Sequence, residues 1–147
     1  MEKAEGTSVD NFREAGMSRK WVIEMIRETL SVEPDYPFPG DDESAVFRHT
    51  DTRKWFALLM HVPRRVLGLP GEASVDIVNV KCNPFISGSL REKPGILPAY
   101  HMNKSQWITI LLDGTVERSA VQSLIEMSYD LTMRKIRGRC TSSGIEE

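Results

Sequence analysis

The chain has 147 residues, 40% of them hydrophobic and 27% charged, with a formal net charge of −2. That length suits one domain able to bury its own core without staples. The near-neutral balance excludes an overall pull toward nucleic acid or an anionic membrane, so any such attraction has to be local.

Residues 1–17 are polar, acidic and weakly patterned, and read as a flexible N-terminal extension. Ser18 is placed to cap a helix running to Leu30, with Val22, Met25, Ile26 and Leu30 on one face. Pro34 closes it, because proline disfavours helix in the residue before it. Tyr36-Pro37-Phe38-Pro39-Gly40 is a rigid aromatic turn, followed by the acidic cluster Asp41-Asp42-Glu43.

Ser44–His49 and Trp55–His61 read as two strands of a hairpin joined through Thr50-Asp51-Thr52. A loop over 62–74 contains Pro63, Gly68, Pro70 and Gly71. Val75–Cys82 (VDIVNVKC) is a third strand with apolar residues on both parities, which predicts a central strand covered on both faces. Asn83-Pro84 form an N-cap and first-turn pair opening a short helix toward Arg91, and Pro94-Gly95 break it.

The run PAYHMNKSQW, Pro98 to Trp107, has neither a clean helical nor a clean strand period. After it, Trp107–Leu112 (WITILL) reads as a strand and Asp113-Gly114 as a turn. A last helix starts near Glu117, with Val121, Leu124, Ile125, Leu131 and Ile136 in one stripe and the small Ser128 near its centre. The domain is expected over 18–137, with a flexible tail over 138–147. The order α-β-β-β-α-β-α predicts an α+β domain with a mostly antiparallel sheet and helices on one face. The other face, or an edge, is then left for a partner.

Charge is unevenly spread. Residues 1–43 carry eleven acids against five Lys and Arg. Residues 79–110 carry Lys81, Arg91, Lys93 and Lys104 against Glu92 alone, and the tail adds Arg134, Lys135, Arg137 and Arg139. The run 98–107 therefore lies in a basic stretch. Cys82 and Cys140 have no paired spacing and read as reduced intracellular thiols. No apolar run approaches the ~20 residues that span a bilayer, and the N-terminus has no signal-peptide core. A cytoplasmic monomer with no membrane partner is expected.

Metal ligation needs clustered His, Cys or carboxylate, whereas His49, His61 and His101 stand apart and read as surface or strand residues; no metal and no cofactor is expected. There is no G-x-x-x-x-G-K-[ST], no G-x-G-x-x-G and no nucleophile elbow. His101 with Lys104 could serve acid–base chemistry, with Asn103 orienting a carbonyl, if a deep pocket enclosed them. The plainer reading is that Asn103 caps a turn and His101 bonds to backbone. No catalytic residue is assigned.

Binding fits the residue types better. Lys81, Arg91, Lys93 and Lys104 suit phosphates, and the amides of Asn103 and Gln106, beside His101, suit base edges. Tyr100 and Trp107 can stack on bases or anchor the run; because Trp107 opens an apolar strand, a core role is expected for it.

Several segments together resemble the MmcQ/YjbR family of small bacterial proteins: Tyr36-Pro37-Phe38, Lys54-Trp55-Phe56-Ala57-Leu58, Val80-Lys81-Cys82-Asn83-Pro84, Leu90-Arg91-Glu92, the run 98–107, and Ser128-Tyr129-Asp130-Leu131. The resemblance spans about 18–135. It implies an α+β fold akin to type III secretion chaperones, also described as CyaY-like or double-wing. It implies a non-enzymatic DNA-binding module, with double-stranded DNA as partner. The chaperone-like fold offers the alternative of a protein- or peptide-interaction domain. Gln106 stands where the family often has histidine, and 62–68 is longer than the usual short turn and could serve as an arm.

Overall fold

The computed structural model describes residues 19–133. The acidic extension, Ser18, the basic tail with Ile136 and Cys140 lie outside the described residues.

Helix α1 spans Arg19–Leu30 and buries Val22, Met25 and Ile26, three positions of its expected apolar face. Strand β1 (Ala45–Arg48) turns back into β2 (Trp55–Pro63), and β3 (Ser74–Lys81) follows after a single 3-10 turn at Arg64–Leu67. Helix α2 (Pro84–Arg91) leads to β4 (Ile96–Pro98), β5 (Trp107–Leu111) and helix α3 (Arg118–Leu131). All strand pairs are antiparallel, and the sheet order is β1-β2-β3-β5-β4. The α+β class and the antiparallel sheet are as expected. The element order is α-β-β-β-α-β-β-α, with one strand more than the periodicity indicates: β4 has only three residues and ends in a proline, too short to show alternation.

Register fixes the two faces. Ala57 lies opposite Val80, Leu59 opposite Val78, and these in turn face Ile108 and Ile110, forming a wholly apolar inner side. Helices α1 and α3 cover it with Val22, Met25, Ile26, Val121 and Ile125, and Leu90 of α2 packs at its margin. Burial of this kind contributes roughly 25 cal/mol per Å² of apolar surface removed from water.

A bulge interrupts the β1–β2 ladder, where Arg48 pairs with Trp55 but Phe47 with Ala57. The extra residue, Phe56, turns its ring to the helix side, 4.9 Å edge-on to Tyr129 of α3. The Ser128 hydroxyl donates to the Phe56 carbonyl at 2.6 Å and accepts the Lys81 N–H at 2.9 Å. The small residue predicted at the centre of α3 thus seats that helix on the sheet. His49 is buried rather than at the surface: its Nε2 lies 3.1 Å from the Tyr129 carbonyl and 2.9 Å from the Thr132 hydroxyl. Leu131, expected in the buried stripe, is 40% exposed; it is the last residue of α3.

Strand β3 is central, as its sequence predicts. On its second face Val62, Val75, Ile77 and Leu111 form a smaller cluster, roofed by Leu67, Leu69, Leu97 and Tyr100 rather than by helices. The long 62–74 connection is tied down over this face. Arg64 donates through Nε to the Pro70 carbonyl at 3.0 Å, and its guanidinium approaches Asp113 at 3.8 Å.

Candidate nucleic-acid interface

The run 98–107 crosses the second face of the sheet and is stapled there by a buried polar pair. The Tyr100 N–H donates to the Thr109 hydroxyl at 2.8 Å, that hydroxyl donates to the Asn79 side-chain Oδ1, and the Asn79 Nδ2 donates to the Tyr100 backbone carbonyl at 3.0 Å. Asn79 and Thr109 are fully buried, so each would be costly unpaired; together they satisfy one another and fix the loop. Tyr100 packs its ring on the small apolar cluster, the anchoring one of its two readings.

Beyond Tyr100 the chain turns sharply. His101 adopts φ +63°, a left-handed conformation that few non-glycine residues take. The Asn103 side-chain oxygen accepts from the Ser105 N–H at 2.9 Å and the Ser105 hydroxyl at 2.7 Å, while its carbonyl accepts the Trp107 N–H at 2.9 Å. Asn103 is therefore a turn cap whose amide oxygen is already engaged, the plainer of its two readings.

The predicted residues fall into two groups. Lys81 pairs in register with Trp107, the Cys82 N–H donates to the Gln106 carbonyl at 2.8 Å, and Arg91 donates through Nη1 to the Lys104 carbonyl at 2.8 Å. Lys81, Arg91, Lys104 and Gln106 thus meet where β5 begins. The position of Arg91 also registers on its neighbour: burial pushes the Cys82 thiol up, and the nearby Arg91 charge partly offsets this. Lys93 is exposed in the turn between α2 and β4, and no contact among the described residues joins its side chain to this group.

At the β5 corner lies an open hollow of about 290 Å³, lined by Lys54, Trp55, Lys81, Trp107, Leu131 and Thr132. None of these is acidic. Trp107 is only half-buried and forms a wall of the hollow, so its core role is corrected. The apolar pattern after it belongs to Ile108, Ile110, Leu111 and Leu112, which are buried, whereas the first residue of the strand sits at the rim of the sheet.

His101 belongs elsewhere. With Met102 it lines a second, larger hollow of about 350 Å³, together with Phe38, Asp41, Ser44, Trp55, Leu58 and Met60. Its walls are mainly aromatic and thioether side chains, and Asn103 is not among them. Trp55 divides the two hollows, with Phe38 edge-on at 6.2 Å and the Arg48 guanidinium 6.0 Å from its centroid. That guanidinium is already paired with Asp35 at 2.6 Å. Sequence reasoning left Lys54 and Trp55 out of the site. They lie far from 98–107 along the chain, and only sheet order brings them beside it. Among the described residues no helix is long and apolar enough to cross a membrane.

Comparison with known proteins agrees with this fold. The YjbR family model matches residues 17–131. The uncharacterized protein YyaQ of Bacillus subtilis is 40% identical over 116 residues, covering 79% of this chain and 98% of its own. The uncharacterized YjbR of Escherichia coli is 34% identical over 93 residues, 62% of this chain and 74% of that one. A crystal structure of a Pseudomonas syringae protein superimposes with a TM-score of 0.78 at 45% identity, covering 79% of this chain and 99% of its own. A Deinococcus radiodurans protein with a DUF419 domain aligns at a TM-score of 0.62 and 25% identity, over 86% of each chain. With the ordered motifs and the fold in agreement, this chain belongs to the YjbR family.

Proposed function

We propose that the chain is a non-enzymatic DNA-binding module whose contact surface is the corner where β2, β3 and β5 meet. One observation carries this reading. Lys54 and Lys81 line a hollow with two half-buried tryptophans and no acid on its wall, and Arg91, bonded to the Lys104 carbonyl, lies near the start of β5. Cations grouped without counter-charges attract phosphate, and they position a nucleic acid without reading its sequence. Gln106 sits in this group, while His101 serves the neighbouring hollow.

A second reading, a protein- or peptide-interaction domain, draws on that neighbouring hollow. Phe38, Leu58, Met60 and Met102 give it the apolar, adaptable lining that docks a partner's side chain.

Amide chemical-shift mapping with a short duplex tests both. Shifts at Lys54, Lys81, Arg91 and Lys104 that shrink as salt rises are expected. Shifts confined to Phe38, Leu58, Met60 and Met102, or no shifts, overturn the DNA reading.

A further inference from the structure

We infer that the Trp55–Trp107 hollow receives an unpaired base, so that the preferred ligand is single-stranded DNA rather than a closed duplex. This rests on the DNA-binding reading and names the form of the ligand.

Trp55 opens β2 and Trp107 opens β5, and the end of β3 at Lys81 lies between them. Two strand spacings separate the indoles' backbones, about 10 Å. Both rings are half-buried and line the same hollow of about 290 Å³. Lys54 adjoins one ring in sequence and Lys81 adjoins the other in register, so each aromatic wall has a cation beside it. On the third side are Leu131 and Thr132, from the end of α3.

The recess decides between single and double strands. A duplex offers protein its phosphates and the edges of its bases; the faces are covered by stacking. An indole at the wall of a hollow does not reach those covered faces. A base outside a stack has a free face, and a flexible backbone can carry its flanking phosphates to Lys54 and Lys81. Aromatic platforms beside cations bind single strands in this way, with little sequence preference. The neighbouring hollow fits such a ligand less well, because Asp41 lies on its wall.

The test uses the full chain, a short oligothymidylate and a duplex with the same number of phosphates. The single strand should bind roughly fivefold to a hundredfold tighter. It should move the indole N–H resonances of Trp55 and Trp107 while leaving that of Trp21, on α1, in place. Trp55→Leu and Trp107→Leu should each remove the preference for the single strand, and Trp107→Phe should retain it. Because the resonances are read on the unaltered chain, misfolding of a leucine variant leaves the test intact. Equal or tighter duplex binding, unmoved Trp55 and Trp107 resonances, or a preference surviving both leucine changes overturns the inference while DNA binding stands. Failure of both ligands to bind overturns the two together.

Discussion

The Ser128 hydroxyl of α3 donates to the carbonyl of Phe56, the extra residue of the β2 bulge, at 2.6 Å. Because the same oxygen accepts the Lys81 N–H, one small side chain satisfies two backbone groups on neighbouring strands. Replacing Ser128 with Ala leaves both groups facing a dry interface. The expected cost is about 1–3 kcal/mol, seen as a lower midpoint in urea with an unchanged slope. A midpoint equal to the parent's would mean that water replaces the hydroxyl without loss.

Phe56 and Trp107 should behave differently on truncation. Phe56 is fully buried, so Phe56→Ala should cost about 3–5 kcal/mol. Trp107 is only partly buried, at the wall of a hollow, and Trp107→Ala should cost clearly less. Thermal unfolding of the two variants side by side checks this; equal losses would return Trp107 to the core.

Gly95 has φ +85°, and a Cβ there would meet the Val116 Cγ2 at 2.6 Å. Its carbonyl also accepts the Leu111 N–H at 2.9 Å, holding β4 in register. Gly95→Ala combines a left-handed backbone, worth about 1–2 kcal/mol, with overpacking worth about 1–3 kcal/mol. Hydrogen exchange should rise first along β4 and the end of β5. A neutral substitution would show that this turn can relax.

Charge reversal by Lys81→Glu or Lys104→Glu should weaken DNA binding by a similar factor for every sequence, because phosphate contacts position without specifying. The salt dependence should become shallower as well. Unchanged affinity in both variants would remove this corner as the contact surface.

Asp41 ties off the turn before β1. The Ser44 hydroxyl, then the Glu43 N–H, hold its carboxyl below the ordinary value of 3.8, and the Ser44 N–H and the Arg19 charge add to this. A carboxyl lowered on folding contributes stability above its unfolded pKa and loses it as pH falls through the folded one. The parent should therefore lose more melting temperature than Asp41→Asn between neutral pH and pH values below 3.8. Parallel pH profiles would show that the turn is indifferent to this charge.

Much of the fold was legible because periodicity reports burial. The central position of β3 follows from apolar residues on both parities, and the Asn83-Pro84 helix start follows from capping chemistry, with the Asn83 side chain accepting the Phe85 N–H at 2.9 Å. What escaped was non-local. The bulge sends both Phe56 and Ala57 to the helix side, which simple alternation forbids. Three-residue β4 exists only because β5 pairs with it. His49 is held by groups 80 and 83 positions away along the chain. The basic residues of 79–110 were visible as composition, but their meeting with Lys54 and Trp55 depends on strand order.

The sheet has two outer strands, and both are closed to further pairing. Beside β1, the Val46 N–H and carbonyl already bond to Asp35 at 2.8 and 2.9 Å, and the Ser44 N–H is taken by Asp41. On the opposite side, β4 has three residues, and Pro98 contributes no N–H. Neither margin can template an incoming strand, which guards against edge-to-edge aggregation and against partners that bind by extending a sheet. Among the described residues, a partner at these margins must read side-chain chemistry rather than borrow backbone.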